Sequence, residues 1–288
     1  MKTKHVSRKG EISLGLTRSD SNILRSQKQY PLYTIIIISQ GNGTYHADFG
    51  SFKIDGPAIL FSTPLQTLKI EGNIGGITML QFHGDFYCIE YHKREVACNG
   101  VLFNNIYSKP IINLKQDQFA FFDRLMSDLE AELTLKEPSD AVLTAYLQLL
   151  LAKATAIMNQ VVNSTLPRER DEIMEAFKLL IEENFLSMRK PAQYADRLHI
   201  TPDTLSKRCK QYFRKTPTAL IQERIALEAK KKLHLTRKSI KEIAFSLRFK
   251  DEHYFSSFFK KVTKVTPVAF RKKTGISIVA NSSSLNTD

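Results

Sequence analysis

Hydrophobic and polar positions alternate over short distances in the first part of the chain. Residues 32–39 form a short β-branched run, which is typical of a buried strand. Gly41-Asn42-Gly43 follows this run and is a strong turn signal. Further short strands are predicted at 44–49, 51–54, 58–61, 67–70 and 77–82, separated by Gly50, Asp55-Gly56-Pro57 and Gly75-Gly76. Many short strands at close spacing predict a small antiparallel barrel or jelly roll.

Helical spacing replaces the strand pattern near Lys115. A first apolar stripe consists of Phe119, Phe122, Leu125 and Leu129, and a second one consists of Leu143, Leu147, Leu150, Leu151 and Ala154. Two amphipathic helices of this kind either cap the barrel or pair with a second copy of the chain. The pattern leaves both interpretations open, and helix 141–154 is the predicted dimer surface.

An internal repeat at a shift of about fifty residues dominates the last third of the chain. The matching pairs are Ala195 with Ala244, Leu198 with Leu247, Ile200 with Phe249, Leu205 with Phe255, Thr216-Pro217 with Thr266-Pro267, and Leu220 with Phe270. Each copy predicts a short helix, a tight turn and a second helix. Thr201 with Pro202 in the first copy, and Asp251 in the second, are suited to begin that second helix. This plan is helix-turn-helix geometry.

Between the two copies, the sequence predicts one long helix from Pro217 to about Leu235. Its apolar stripe consists of Ile221, Ile225, Ala229 and Leu233. A helix rises about 1.5 Å per residue, so this one spans roughly 25–30 Å. A spacer of that reach can place two second helices in successive major-groove turns, about 34 Å apart, on one face of DNA.

Charge is distributed unevenly and supports a polyanion as the partner of the C-terminal part. The chain has 288 residues and a net charge of +13. Residues 1–167 have 16 Lys and Arg against 15 Asp and Glu, whereas residues 168–288 have 26 against 14. The sequence has no run of about 18 apolar residues and no signal peptide, so we expect no membrane span. Three cysteines (Cys88, Cys98 and Cys209) make no disulfide framework, which favours the cytoplasm.

The second copy resembles the AraC/XylS family of transcription regulators. The motif is carried by Ile243-Ala244, Phe249, Asp251, Tyr254-Phe255-Ser256, Phe259-Lys260-Lys261, Thr266-Pro267 and Phe270-Arg271. The first copy matches more loosely, with Arg224 and Ala229 at family positions. The resemblance implies an α+β protein, with an N-terminal cupin-like antiparallel β-barrel and two helices, and a C-terminal all-α domain of two helix-turn-helix units joined by a long helix.

Four positions depart from the family pattern. Arg214, Arg248 and Lys264 stand where the family usually has glycine, which there relieves positive φ or close packing. Bulky residues at these places either lower the stability of the domain or add cations along the phosphates. Ser257 replaces an arginine that often follows the Tyr-Phe-Ser motif, so one common DNA contact is absent.

The resemblance and the predicted outer helix faces assign the contacts with DNA. Base-reading positions are Ser206, Lys207, His253, Tyr254 and Ser257, although His253 is equally well explained as a solvated surface histidine. Phosphate contacts are assigned to Thr204, Lys210, Lys250, Lys260, Lys261, Arg271 and Lys272.

We expect the chain to be organised as follows: 1–29 a flexible arm, 30–162 a cupin-like sensor and dimerisation domain, 163–170 a linker, 171–274 the DNA-binding domain with helix-turn-helix units at 191–213 and 239–262, and 275–288 a disordered tail. The resemblance implies double-stranded DNA as partner, a small-molecule effector of unknown identity, a homodimer, and RNA polymerase if the protein is an activator.

Catalysis and metal binding are not expected. His46 lacks the second histidine and the glutamate of a metal cupin at the usual spacing. His83, Cys88, Glu90 and His92 lie close in sequence, but such residues are more often packing or surface groups than a metal site. We predict an activator that is not an enzyme and has no cofactor. The alternatives are a ligand-independent regulator and a cupin metalloenzyme fused to a DNA-binding domain.

Overall fold

The computed structural model describes residues 2–6, 12–47, 50–87, 102–103, 106–107, 109–164 and 171–274. The chain forms two compact units. The N-terminal unit comprises residues 1–105 and 109–162, and the C-terminal unit comprises residues 106–108 and 163–288. Residues 163 and 164 of the predicted linker 163–170 belong to a helix that ends at Ser164. The rest of that linker, the predicted tail and the residues Cys88, Glu90, His92 and Cys98 lie outside the described residues.

The N-terminal unit contains one antiparallel sheet. Its strands are β1 Lys2–Val6, β2 Ile12–Ser19, β3 Lys28–Gln29, β4 Tyr33–Ala47, β5 Gly50–Asp55, β6 Ala58–Ser62, β7 Thr67–Phe82 and β8 Ile111–Asn113. The main path runs β1-β2-β7-β4-β6-β8, while β3 pairs with β7 and β5 pairs with β4. Among the described strands, β1 and β8 end this path without pairing with each other. The α+β class and the antiparallel N-terminal sheet are confirmed, but the described strands do not close into a barrel.

Strands β4 and β7 each join two of the short strands that the sequence pattern predicts. Gly41, which we expected in a turn, has a φ of 119° and lies within β4, and Gly72 of β7 has a φ of 113°. A Cβ atom at Gly41 would lie 2.1 Å from the carbonyl oxygen of Asn73, so the two backbones approach too closely for a side chain. These glycines therefore allow the backbones of the paired strands β4 and β7 to approach closely, and both strands continue past them.

The run of isoleucines in β4 is buried on both faces of the sheet. Ile35 and Ile37 belong to one hydrophobic cluster, which also contains α1 and α2, whereas Ile36 and Ile38 belong to a second cluster. Successive residues of a strand point to opposite faces of the sheet, so an uninterrupted apolar run contributes side chains to both clusters.

The predicted flexible arm at residues 1–29 is wrong for the described part of that segment. Strand β1 pairs with β2, and β2 pairs with β7 through Leu14–Phe82 and Leu16–Leu80. Leu14 and Leu16 are fully buried. Alternation of Leu14 and Leu16 with small or polar residues is a strand pattern that the polar character of the whole segment obscured.

Helices α1 (Gln116–Leu133) and α2 (Asp140–Ser164) follow the sheet. All five members of the second apolar stripe, Leu143 to Ala154, are fully buried in the sheet-and-helix cluster. The stripe therefore packs within its own unit, and it is not available as the dimer surface. Among the described helices, α2 alone is long and apolar enough to cross a membrane, over Asp140–Val161, but its buried stripe is that of a core helix.

The C-terminal unit contains seven described helices: α3 Glu172–Asn184, α4 Pro191–Arg197, α5 Pro202–Tyr212, α6 Pro217–Leu235, α7 Ile240–Ser246, α8 Glu252–Thr263 and α9 Pro267–Thr274. Helix α6 packs against α3 and α5, and also against α7, α8 and α9. The predicted long helix from Pro217 to Leu235 is confirmed, and the unit has its core around that rod.

Candidate nucleic-acid interface

Each helix-turn-helix unit begins its second helix with a side-chain cap. The hydroxyl oxygen of Thr201 accepts a hydrogen bond from the backbone N–H of Thr204 at 3.2 Å, and a carboxylate oxygen of Asp251 accepts one from the N–H of Tyr254 at 2.7 Å. Capping satisfies N–H groups that the helix itself leaves unpaired. Helices α5 and α8 thus begin at the positions that the sequence predicts.

The buried faces of α5 and α8 fix which side is presented outwards. Leu205 and Cys209 of α5 are fully buried, as are Phe255 and Phe259 of α8. Burial raises the pKa of the Cys209 thiol to about 12, with a smaller contribution from Asp171. A thiol in this environment packs as a small apolar group.

Most of the predicted DNA contacts are exposed on the opposite faces or beside them. The exposed members are Thr204, Lys207, Lys210, Lys250, His253, Tyr254, Ser257, Lys260, Lys261 and Lys272. Ser206 is half-buried. The side chain of Tyr254 is notable because 63% of it is exposed, although its ring lies 5.8 Å from that of Phe249. Each recognition helix therefore presents lysines to solvent together with hydroxyl or imidazole groups that can read bases.

Arg271 differs from the other predicted phosphate contacts. Its Nη2 donates to the carbonyl of Lys238 at 2.6 Å, and its Nε donates to the carbonyl of Leu233 at 3.4 Å. These bonds tie α9 to the end of α6 and to the segment before α7. Partial burial also lowers the pKa of Arg271. The geometry gives Arg271 a role within the fold.

Three cations occupy backbone positions that favour glycine. Arg214, Arg248 and Lys264 have φ values of 58°, 58° and 65°. His199, in the turn of the first unit, joins them with a φ of 53°. The expectation that glycine is replaced at positions of positive φ is therefore confirmed, and all four side chains are exposed. Non-glycine residues pay about 1–2 kcal/mol in this region.

Helix α7 is fixed at its start by a reciprocal capping box. Glu242 donates its N–H to the Ser239 hydroxyl at 3.1 Å, and a Glu242 carboxylate oxygen accepts the N–H of Ser239 at 2.6 Å. These bonds hold the pKa of the Glu242 carboxyl below its usual value. Because α7 is the first helix of the second unit, the box fixes the support on which α8 rests.

Ile106 and Tyr107 lie far in sequence from the rest of the C-terminal unit but belong to it, and the sequence pattern did not predict this. The hydroxyl of Tyr107 donates to Glu182 at 2.8 Å, and Lys215 donates to the carbonyl of Ile106 at 3.0 Å. Burial raises the pKa of Tyr107, as does the Glu182 carboxylate. Arg224 also bonds to Glu182, at 2.8 Å. Such contacts depend on tertiary structure, and no local periodicity in the sequence predicts them.

One cavity of the N-terminal unit is a candidate ligand pocket. A cavity of about 310 Å³ is lined by Gln27, His46, Thr67, Leu68, Lys69 and Glu71. His46 bonds to Ser51 at 2.8 Å and lies 3.4 Å from Glu71, which also pairs with Lys69 at 2.5 Å. Those contacts lower the pKa of Glu71, with Lys69 the largest cause.

Metal binding has no support in the described residues, where no group of three His, Cys, Asp or Glu side chains is arranged to hold an ion. Of the four residues considered as metal ligands, only His83 lies within the described ranges, and its Nδ1 lies 3.6 Å from Asp85. The other three, Cys88, Glu90 and His92, lie outside them.

Taken together, two capped recognition helices at either side of a rod define a DNA-binding protein of the helix-turn-helix class. A family model described as "Helix-turn-helix domain" matches residues 194–273. With the motif of the second unit, this match confirms that the C-terminal domain is of the AraC/XylS type. The chain is therefore a DNA-binding transcription regulator with a C-terminal domain of that type.

Solved structures with similarity to this chain include the following. Apo ToxT K231A from Vibrio cholerae is 15% identical, with 91% of this chain and 98% of that chain covered and a TM-score of 0.43. The C-terminal domain of the response regulator AraT from Geobacillus stearothermophilus is 27% identical, with 41% and 93% covered and a TM-score of 0.35. The C-terminal domain of YesN from Fusobacterium nucleatum is 26% identical, with 35% and 99% covered and a TM-score of 0.33. No curated protein matches the chain.

Proposed function

We propose that this regulator binds a two-part DNA site by placing α5 and α8 in successive major-groove turns. The observation that carries the proposal is the pair of capped, lysine-bearing helices on either side of α6. Helix α6 has 19 residues, which corresponds to a length of about 28 Å. Successive turns of the major groove lie about 34 Å apart, so a rod of this length supports simultaneous entry of both helices.

Within that site, the two kinds of exposed side chain have different tasks. His253, Tyr254 and Ser257 lie in the first half of α8, and Lys207 lies at the middle of α5. Recognition helices contact base edges with their N-terminal part. Lys210, Lys260 and Lys261 lie towards the helix ends, where they neutralise phosphates. Half-buried Ser206 contributes to base reading only if its hydroxyl reaches past its neighbours.

Control by a small molecule at the N-terminal unit is the second part of the proposal. The pocket beside His46 offers an imidazole, an ammonium and a carboxylate within a few ångströms, which suits a small polar effector. An effector changes DNA binding only if it favours one state of the protein over another. A ligand-independent regulator is the alternative, and it predicts no thermal shift with any metabolite.

A homodimer would use the outer face of α2. Val142, Ala145, Leu149 and Ala156 are exposed and Ala152 is half-buried, and their spacing of three and four residues matches a coiled-coil seam. Apart from Ala152, which packs against the buried cluster, this outer stripe is exposed. We propose that two copies pair through it, that the dimer acts in the cytoplasm as an activator, and that it contacts RNA polymerase there.

Selection of duplexes from a random library by the purified full chain, at moderate salt, tests the DNA-binding proposal. The full chain is needed because Ile106 and Tyr107 belong to the C-terminal unit. We expect two enriched half-sites whose centres lie about 10.5 base pairs apart. Replacement of Lys136, an exposed lysine of the N-terminal unit, should leave that motif unchanged. Enrichment of no sequence, or of a single half-site, would refute the proposal.

The fused metalloenzyme remains the competing class of function, and it depends on a bound ion. Elemental analysis of the purified chain separates the two classes. A stoichiometric transition metal would favour the enzyme.

A further inference from the structure

Arg189 contacts the turn of the second helix-turn-helix unit although it precedes the first helix of the first unit. Its Nη2 donates to the carbonyl oxygen of Leu247, and its guanidinium carbon lies 4.3 Å from the centre of the Phe249 ring. Burial lowers its pKa. Arg189 also lies five residues before the 194–273 match, outside the segment that the family model describes.

The turn that Arg189 contacts has a strained backbone. Leu247 is the C-cap of α7, and Arg248, which lies between Leu247 and Phe249, has a φ of 58°. Phe249 is almost fully buried, and its ring lies 5.2 Å from that of Phe255 and 5.1 Å from that of Phe258. The direction in which α8 leaves the turn therefore depends on the position of Phe249.

The other end of Arg189 is fixed to the first unit. Its backbone N–H donates to the side-chain oxygen of Gln193 at 3.0 Å, and Lys190 donates to the same oxygen at 3.0 Å. Pro191 then begins α4, which packs against the recognition helix α5. Arg189 thus joins the two helix-turn-helix units at a point separate from the α6 rod.

Both helix-turn-helix units pack on α6, and the contacts of Arg189 with Leu247 and Phe249 add a second link between the units beside that rod. Shifting one half-site by one base pair turns its groove by about 34° around the DNA axis. The angle between α5 and α8 therefore decides which spacing the protein accepts.

We propose that Arg189 is a positioning residue that fixes the angle between the two helix-turn-helix units and thereby the half-site spacing that the regulator accepts. The proposal rests on DNA binding by both recognition helices. The bidentate planar group of arginine is suited to this task because it stacks on Phe249 while it donates to Leu247, and a lysine does not combine the two contacts in the same way.

A set of duplexes that differ only in the distance between the two selected half-sites tests the inference. With the full-length chain, we expect one spacing to bind at least tenfold more tightly than spacings one or two base pairs shorter or longer. Arg189→Ala should reduce that preference to about threefold or less while base preferences within each half-site stay the same. Arg189→Met, which keeps apolar packing on Phe249, should lose the preference as well. Arg189→Lys should recover only part of it.

Arg224→Ala is the matched control, because Arg224 of α6 stacks on Phe185 at 4.0 Å and bonds to Glu182, and both partners lie in α3 or at its end. This variant should lower the melting temperature without altering the spacing profile. An unchanged spacing profile in folded Arg189→Ala and Arg189→Met would overturn the inference. If the unaltered chain itself shows no paired half-sites, the two-helix DNA-binding proposal fails instead.

Discussion

His199 and Arg248 hold equivalent places in the two helix-turn-helix units, and both have left-handed backbones, with φ values of 53° and 58°. In each unit the residue follows the C-cap of the first helix, Leu198 or Leu247. The duplicated fold therefore keeps the same strained turn twice while using two different side chains. The turn between the two helices therefore imposes the same backbone conformation on two different residues.

Replacing Arg248 with glycine should stabilise the C-terminal unit. Glycine removes a left-handed penalty of about 1–2 kcal/mol but adds about 0.4–1 kcal/mol of unfolded-chain entropy. We expect a net gain of about 0.5–1 kcal/mol in unfolding free energy, measured by urea denaturation of the full chain. Lys238→Gly is the control, because Lys238 is exposed and is not among the residues of positive φ. A loss of stability in both variants would contradict the strain argument.

Lys207→Ala should relax sequence preference at one position of the half-site that α5 reads. An exposed lysine at the middle of a recognition helix can donate to guanine O6 or N7. We expect the loss to be about 1–3 kcal/mol at that base pair, measured by competition among single-base variants of the selected duplex. Equal weakening on every sequence would show that Lys207 contacts phosphate.

Lys260→Ala should change the salt dependence of binding and leave sequence preference intact. Each phosphate contact that is lost reduces the slope of log affinity against log salt by about 0.9. Binding titrations at several salt concentrations give that slope directly. Lys264→Ala, at an exposed lysine of the same region, shows whether any nearby cation has the same effect. A slope equal to that of the unaltered chain would remove Lys260 from the interface.

Leu149→Lys should disrupt a dimer that forms through the outer stripe of α2. Leu149 is 48% exposed at the middle of that stripe, so a charge is tolerated in the monomer but not inside a coiled-coil seam. Sedimentation of the full chain should change from dimer to monomer with little change in melting temperature. Leu179→Lys, at another exposed leucine, on α3, should leave the assembly unchanged. A dimer that persists in Leu149→Lys would place the contact elsewhere.

Local signals predicted the C-terminal unit well because its helix ends are specified by neighbouring residues. Thr201 with Pro202, and Asp251, begin α5 and α8 where expected, and the stripe from Ile221 to Leu233 gave α6 its full length. Each of these features lies within one or two helical turns, where side-chain chemistry and backbone conformation are directly linked.

The N-terminal sheet was less predictable because glycine has two meanings. Gly41 reads as a turn in the sequence, yet in the structure it allows β4 and β7 to approach closely. Arg189 illustrates the corresponding limit for the interface, since its partners Leu247 and Phe249 lie 58 and about 60 residues away and no periodic pattern connects them. Contacts of this kind follow from the folded arrangement alone.

Acidification should weaken the start of α7 through Glu242. Hydrogen bonds with Ser239 hold the pKa of Glu242 below its usual value, so the folded state favours the ionised carboxylate. A group with a depressed folded pKa stabilises the protein above its unfolded pKa, and that contribution is lost as pH falls through the folded pKa. Unfolding free energies should therefore show the original chain to be more stable than Glu242→Gln near neutral pH.

This difference should fade below about pH 4.5, where the unfolded carboxyl begins to take up its proton. Glutamine is the right replacement because it can still accept the N–H of Ser239 and only the charge is removed. Glu183→Gln, at an exposed carboxylate of α3, reports the general effect of losing one negative charge from this basic protein. A difference between the original chain and Glu242→Gln that stays constant from pH 7 to about pH 3 would mean that the capping box depends on shape rather than on charge.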